Sequence, residues 1–203
     1  MDAARETNRR AWDALVRRKH ALTAPVREEQ LRDPLQAIDS LGWFGASVTG
    51  RRVLCLGAGG GKYSALFATA GAQVTVVDLS PEMLALDRQV ATDRGLNVGT
   101  IEASIDDLST LPASHYEIVA QPVSTCYVPD IVAVYRAVAR VIVPGGLYVS
   151  QHKQPVSLQV ETERLGYGYC LTDPYYRHGP LRSAAPSRLR EAGTVEFLHR
   201  WEE

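Results

Sequence analysis

At 203 residues, with 45% hydrophobic and 22% charged residues, the chain has the size and composition of one domain with a real core. Its formal net charge of −1 excludes a general nucleic-acid or membrane-surface binder, which carries a basic excess. The scattered Cys55, Cys126 and Cys170 form no C-x-x-C pair, so neither a disulfide framework nor a metal site is implied. No signal peptide and no long apolar run stand in the sequence, so a cytoplasmic location is expected.

Residues 1–50 read as an N-terminal segment of their own. Asn8 to Lys19 places Trp12, Leu15 and Val16 at helical spacing among arginines, which predicts an amphipathic helix. Asp33-Pro34 starts a second, short helix. Trp43 and Phe44 close the segment and read as packing residues.

Residues 51–153 alternate in type. Strands are expected at 52–56, 73–78, 97–102, 116–121 and 146–152. Helices are expected at 61–70, 81–94 and 129–141, with a short one near 105–110. Such alternation implies crossovers and a mostly parallel sheet with helices on both faces, an α/β doubly wound fold. Val53 to Leu56 and Val74 to Val77 are near-continuous apolar runs, as strands covered on both faces require. In such sheets a ligand sits beyond the carboxyl ends of the strands. Gly57, Asp78, Ser104, Gln121 and His152 fall at those ends.

The turn after the first strand runs Gly57-Ala58-Gly59-Gly60-Gly61-Lys62. Its glycines permit close approach of backbone to a ligand. A dinucleotide turn, G-x-G-x-x-G, fits Gly57 and Gly59 but meets Lys62 at its third glycine. A P-loop fits Gly61-Lys62 but has Leu56 for its first glycine and Tyr63 for its hydroxyl residue. The remaining pattern is G-x-G-x-G, from Gly57, Gly59 and Gly61. Asp78 ends the second strand, where a carboxylate can accept hydrogen bonds from a ribose diol.

Five segments in order carry a resemblance. They are the glycine turn, Asp78-Leu79-Ser80-Pro81-Glu82-Met83-Leu84, Ala103-Ser104-Ile105-Asp106-Asp107-Leu108, Tyr116-Glu117-Ile118-Val119, and Val143-Pro144-Gly145-Gly146-Leu147. Together they resemble the class I S-adenosylmethionine-dependent methyltransferases, and among these the small-molecule enzymes of ubiquinone and menaquinone biosynthesis. The resemblance covers roughly Arg51 to Lys153. It implies a Rossmann-like fold and S-adenosylmethionine as cofactor, with S-adenosylhomocysteine as product. It also implies a cofactor site from Gly57, Ala58, Gly59, Gly61, Asp78, Leu79, Met83, Ser104, Ile105, Asp106 and Gln121. Ser104 departs from the pattern, standing where the family often has an acidic residue against the adenine ring; Asp106 or the Ile105 N–H is then the substitute. N-terminal helices in related enzymes commonly act as lids, which would bring Trp12 to the cofactor.

Methyl transfer to a small-molecule acceptor is mainly a matter of alignment, because the cofactor carries its own leaving group. An oxygen or nitrogen acceptor can also need a general base. His152 is the first candidate, since histidine titrates near neutral pH; Tyr127 is the second. Tyr175 and Tyr176 are expected to shape the acceptor pocket beside them.

Residues 154–203 are expected to hold substrate-side loops and an incomplete sheet edge. The resemblance implies seven strands, and the sequence offers only a weakly alternating Thr194–His199 for a sixth and a helix start at Arg200–Glu203. An open edge is a pairing hazard, so a homodimer that covers it is expected. Two other readings stay open. One is a non-catalytic or regulatory protein that keeps the fold and cofactor site. The other is a nicotinamide-dependent oxidoreductase, against which Lys62 and Pro144-Gly145-Gly146 count.

Overall fold

The apolar runs form the centre of the molecule. A computed structural model describes residues 3–161, 165–182 and 190–202. Strands β1 (Arg52–Leu56), β2 (Gln73–Asp78), β3 (Val98–Glu102), β4 (Tyr116–Gln121) and β5 (Ile142–Ser150) make one sheet in the order β3-β2-β1-β4-β5. Every pairing is parallel. β1 and β4 are central, and their burial is nearly continuous, as two covered faces demand.

Alternation within β1 assigns its side chains to two cores. Leu54 and Leu56 pack with Val119 and with Val134, Val138 and Val141 of α6 (Ile131–Val141). Val53 and Cys55 face the other way, toward Phe67 of α4 (Tyr63–Thr69) and Leu84 of α5 (Pro81–Arg94). The helix starts follow local chemistry. Ser80 accepts the Met83 N–H and Pro81 follows it in the first turn of α5. Asp130 accepts the Val132 and Ala133 N–H groups ahead of α6.

The N-terminal segment holds α1 (Ala3–Arg17), α2 (Glu28–Leu31) and α3 (Pro34–Ile38), the last capped by Asp33 as the sequence predicts. Phe44 packs edge-on to Phe67 at 5.2 Å, but Trp43 is 56% exposed and does not serve as core. No helix among the described residues is long and apolar enough to cross a membrane.

Three expected elements differ. Residues 105–110 form two turns, closed by Asp107 N–H to Ser104 and Leu111 N–H to Leu108, rather than a helix. Thr194–His199 makes only an isolated antiparallel bridge, Phe197 with Pro180, because it lies over the C-terminal loops and not beside β5. Trp201 and Glu202 form a turn, and Glu203 lies outside the described residues. A short helix, α7 (Pro155–Gln159), was not expected.

Candidate functional site

The turn from β1 into α4 is shaped by close contacts. Gly57 has φ +58°, and a Cβ there would lie 2.7 Å from Ser124 Oγ. At Gly59 a Cβ would lie 2.9 Å from Asp78 Oδ2. These approaches leave room for no side chain.

The glycine N–H groups of this turn are already used. Gly57 N–H bonds to Val77 O at 2.8 Å as the strand ends. Gly59 N–H donates to Asp78 Oδ2 at 2.9 Å, while Ser80 N–H takes Asp78 Oδ1 at 2.9 Å. Gly60 and Gly61 N–H donate to the two oxygens of Asp87, at 2.8 and 3.0 Å, and the Ser64 hydroxyl joins them. A phosphate-binding turn keeps such N–H groups open to its anion. Here two carboxylates occupy them, so the local charge is negative and disfavours a pyrophosphate.

Both carboxylates sense burial. Burial raises the Asp78 carboxyl above its ordinary range, against the N–H groups of Ser80, Gly59 and Leu79. Burial pushes Asp87 up to about 6, opposed by the Ser64 hydroxyl and the Gly60 and Gly61 N–H groups.

Beyond these strand ends lies a cleft with two lobes. The narrow lobe, about 90 Å³, is bounded by Asp78, Leu79, Met83, Ser104 and Ile105. The wide lobe, about 280 Å³, is bounded by Ala58, Gly59, Tyr63, Pro122, Gln151 and Glu191. Trp12, Gly57, Met83, Val123 and Tyr127 border both.

Helix α1 roofs this cleft through three fastenings. Asn8, 1% exposed, donates to Tyr127 O and Val195 O and accepts the Val195 N–H. The buried Asp13 accepts the Ser80 hydroxyl at 2.6 Å. Arg5 pairs with Asp106 at 2.8 Å. Trp12 then meets the Tyr127 ring edge-on at 5.7 Å.

Most residues expected around a cofactor lie on this cleft: Trp12, Gly57, Ala58, Gly59, Asp78, Leu79, Met83, Ser104 and Ile105. Three do not line it. Gly61 faces α5, where a Cβ would lie 2.6 Å from Val90. Gln121 is buried beneath it, donating to Ser124 Oγ at 2.9 Å and accepting from the Tyr148 hydroxyl at 2.5 Å. Asp106 is taken up by the Ser104 hydroxyl and Arg5.

The expected acceptor residues divide in the same way. Tyr127 borders both lobes, with its hydroxyl donated to Glu191 at 2.7 Å. His152 lines a separate cavity of about 170 Å³ with Thr125, Cys126 and His199. Its Nδ1 meets the Thr125 hydroxyl at 3.0 Å and its Nε2 the Ser150 hydroxyl. Burial and the neighbouring His199 lower its pKa. Tyr175 and Tyr176 meet edge-on at 5.2 Å and line neither lobe. Tyr175 instead donates to Glu202 at 2.8 Å.

Asn8, Asp13, Asp87, Lys153 and Glu191 were not anticipated. Asp87 alone left a signal, a carboxylate at a helix position the fold buries. The others gain partners from segments distant in sequence.

Comparison with known proteins agrees with this fold. A family model for a methyltransferase domain matches residues 54–150. An uncharacterized methyltransferase of Bacillus subtilis, YbaJ, is 30% identical over 174 residues, 80% of this chain and 68% of that protein. A ubiquinone biosynthesis O-methyltransferase of Bordetella bronchiseptica is 37% identical over 118 residues, 56% of this chain and 49% of that one. The crystal structure of an S-adenosylmethionine dependent methyltransferase from Mesorhizobium loti superposes with a TM-score of 0.60 at 26% identity. That match covers 75% of this chain and 70% of the other. The chain belongs to the class I S-adenosylmethionine-dependent methyltransferases. It spans about two thirds of the Bacillus relative and about half of the ubiquinone biosynthesis enzymes it matches.

Proposed function

We propose that this chain transfers the methyl group of S-adenosylmethionine to a small-molecule acceptor. One observation carries the reading: Asp78 and Asp87 take the N–H groups of Gly59, Gly60 and Gly61, and Asp78 lines the cleft. The cleft therefore offers the Asp78 carboxylate to its ligand, which suits a ribose diol and a cationic cofactor, while the turn leaves few N–H groups for a pyrophosphate. The Asp78 carboxylate would hold the ribose, and Leu79, Met83 and Ile105 would enclose the adenine. Ile105 N–H, with no acceptor among the described residues, would read the ring edge.

The bound cofactor supplies the electrophilic methyl group. The chain's residues align the acceptor and exclude water, with Trp12 and Tyr127 closing the junction of the two lobes. The wide lobe would take the acceptor. Its apolar walls at Tyr63, Pro122 and Val123 fit an apolar or planar body.

We extend the reading to a homodimer. Among the described residues no strand pairs with the outer edge of β5, and a second copy would cover it. Light scattering that finds a monomer overturns this extension alone.

The test is turnover. The protein is incubated with S-adenosylmethionine and a panel of phenols, catechols and amines, and products are read by mass spectrometry. Methylated product from any of these supports the reading. Tight cofactor binding with no product across a broad panel favours the non-catalytic alternative.

A further inference from the structure

One acidic side chain bounds the wide lobe. Glu191 lines it beside Gln151, Tyr63 and Pro122. Its Oε2 receives the Tyr127 hydroxyl at 2.7 Å and the Lys153 ammonium at 2.6 Å. Lys153 is held in turn by Glu196 at 2.7 Å, and Glu196, with its side chain 1% exposed, pairs with Arg190. The Oε1 of Glu191 carries no hydrogen bond among the described residues. So one oxygen is held by two donors and the other keeps its acceptor capacity, on a residue that lines the lobe. That is how a base is oriented by supporting groups.

The other candidates fall short on geometry. Both ring nitrogens of His152 are engaged, and the ring lies in a different cavity. Asp78 borders the narrow lobe with an N–H on each oxygen. Burial holds the Tyr127 hydroxyl well above its ordinary range, so it stays protonated and donates to Glu191.

We propose that Glu191 accepts the proton released by the methyl acceptor, and that the acceptor is a protic nucleophile, a hydroxyl or amine, on an apolar body. This rests on the methyl-transfer reading. The acceptor atom bonds to the methyl carbon, the carbon–sulfur bond breaks with its electron pair kept by sulfur, and the acceptor's proton passes to Glu191 and then to water. The positive charge that the cofactor brings in leaves as that proton. Tyr127 and Lys153 are positioning residues that aim Oε1.

The test needs no knowledge of the acceptor. Sinefungin carries a cationic amine where S-adenosylmethionine carries its methyl group, whereas S-adenosylhomocysteine carries nothing there. Calorimetric titration gives the affinity of each for the wild type, Glu191→Gln and Glu191→Asp. The expected result is a preference for sinefungin over S-adenosylhomocysteine that falls about tenfold in Glu191→Gln, the loss of one charge-assisted contact, with S-adenosylhomocysteine affinity unchanged. Glu191→Asp keeps the charge, one methylene further back, and keeps part of the preference. An unchanged ratio in Glu191→Gln overturns the role of Glu191 while leaving the cofactor reading intact. If Glu191→Gln does not fold, Glu191→Ala takes its place, and an unchanged ratio there does the same. Failure of the folded wild type to bind either compound overturns both.

Discussion

The Ser80 hydroxyl, at the start of α5, donates to Asp13 of α1 at 2.6 Å across 67 positions of sequence. Ser80 also caps α5 and sends its N–H to Asp78. One residue thus ties the roof of the cleft to the strand end that carries its main carboxylate. Because Asp13 is 3% exposed, its loss leaves the hydroxyl short of a buried partner. Asp13→Ala is expected to cost about 1–3 kcal/mol of stability and to weaken S-adenosylhomocysteine binding. Urea unfolding and titration check the two effects separately. Unchanged binding in the folded variant would mean that α1 does not order the site.

Gly57 predicts a sharper result. A methyl group there enters Ser124 and also lies 3.2 Å from Ile105, both on the cleft. Gly57→Ala is expected to lose about 1–3 kcal/mol by overpacking and backbone strain and to lose cofactor binding altogether. Gly166→Ala serves as control, because its φ is also positive but nothing lies within 4 Å of its added Cβ. It should be strained yet bind normally.

Asp87 makes stability depend on pH with a defined sign. Its folded-state value of about 6 exceeds its ordinary 3.8. The folded state therefore holds this proton more tightly than the unfolded chain. The associated stability is present below the ordinary value and is lost as pH rises through about 6. The loss attributable to this group amounts to about 3 kcal/mol. Asp87→Asn removes the titration, and its amide sets N–H against N–H at the turn, so the variant is less stable overall. The difference in unfolding free energy between wild type and variant, followed from pH 4 to pH 7, should shift in the variant's favour as pH rises. A constant difference would contradict the assignment.

The buried ion cluster behind Tyr127 gives another prediction. Lys153 bridges Glu191 and Glu196 with its side chain only 11% exposed. Burial pulls its ammonium down, but Cys126, Glu196 and Glu191 raise it beyond its ordinary range. Lys153→Met leaves both carboxylates without that cation. It is expected to cost about 3–5 kcal/mol, read by thermal or urea unfolding. A loss under 1 kcal/mol would mean that water already screens the cluster.

The sheet was legible because its signals are local. The apolar runs of β1, β2 and β4, the Ser80-Pro81 helix start, and the glycine turn each announce themselves within a few residues. Where such signals were absent, the sequence misled. Residues 105–110 were expected as a short helix, yet four of the six are Asp, Ser or Thr, weak helix formers; Ile105 and Leu108 are drawn into the core beneath α6 and the backbone turns instead. Thr194–His199 alternates like a strand, but Asn8 and Cys126 claim its backbone groups. The lining of the narrow lobe was readable from the strand ends. That of the wide lobe was not, because Glu191, Lys153 and Asn8 come together only through contacts between distant segments. His152 looked functional from its place after β5, but its ring turns toward Thr125 and Ser150.

The central claim is that the cleft is an adenosyl-sulfonium site and not a dinucleotide site. Calorimetric titration of the whole chain with S-adenosylhomocysteine and with NAD, repeated on Asp78→Ala, tests it most directly. The account predicts micromolar binding of S-adenosylhomocysteine, none of NAD, and loss of binding in the variant. NAD binding by the folded protein, or S-adenosylhomocysteine binding that survives without Asp78, would contradict it.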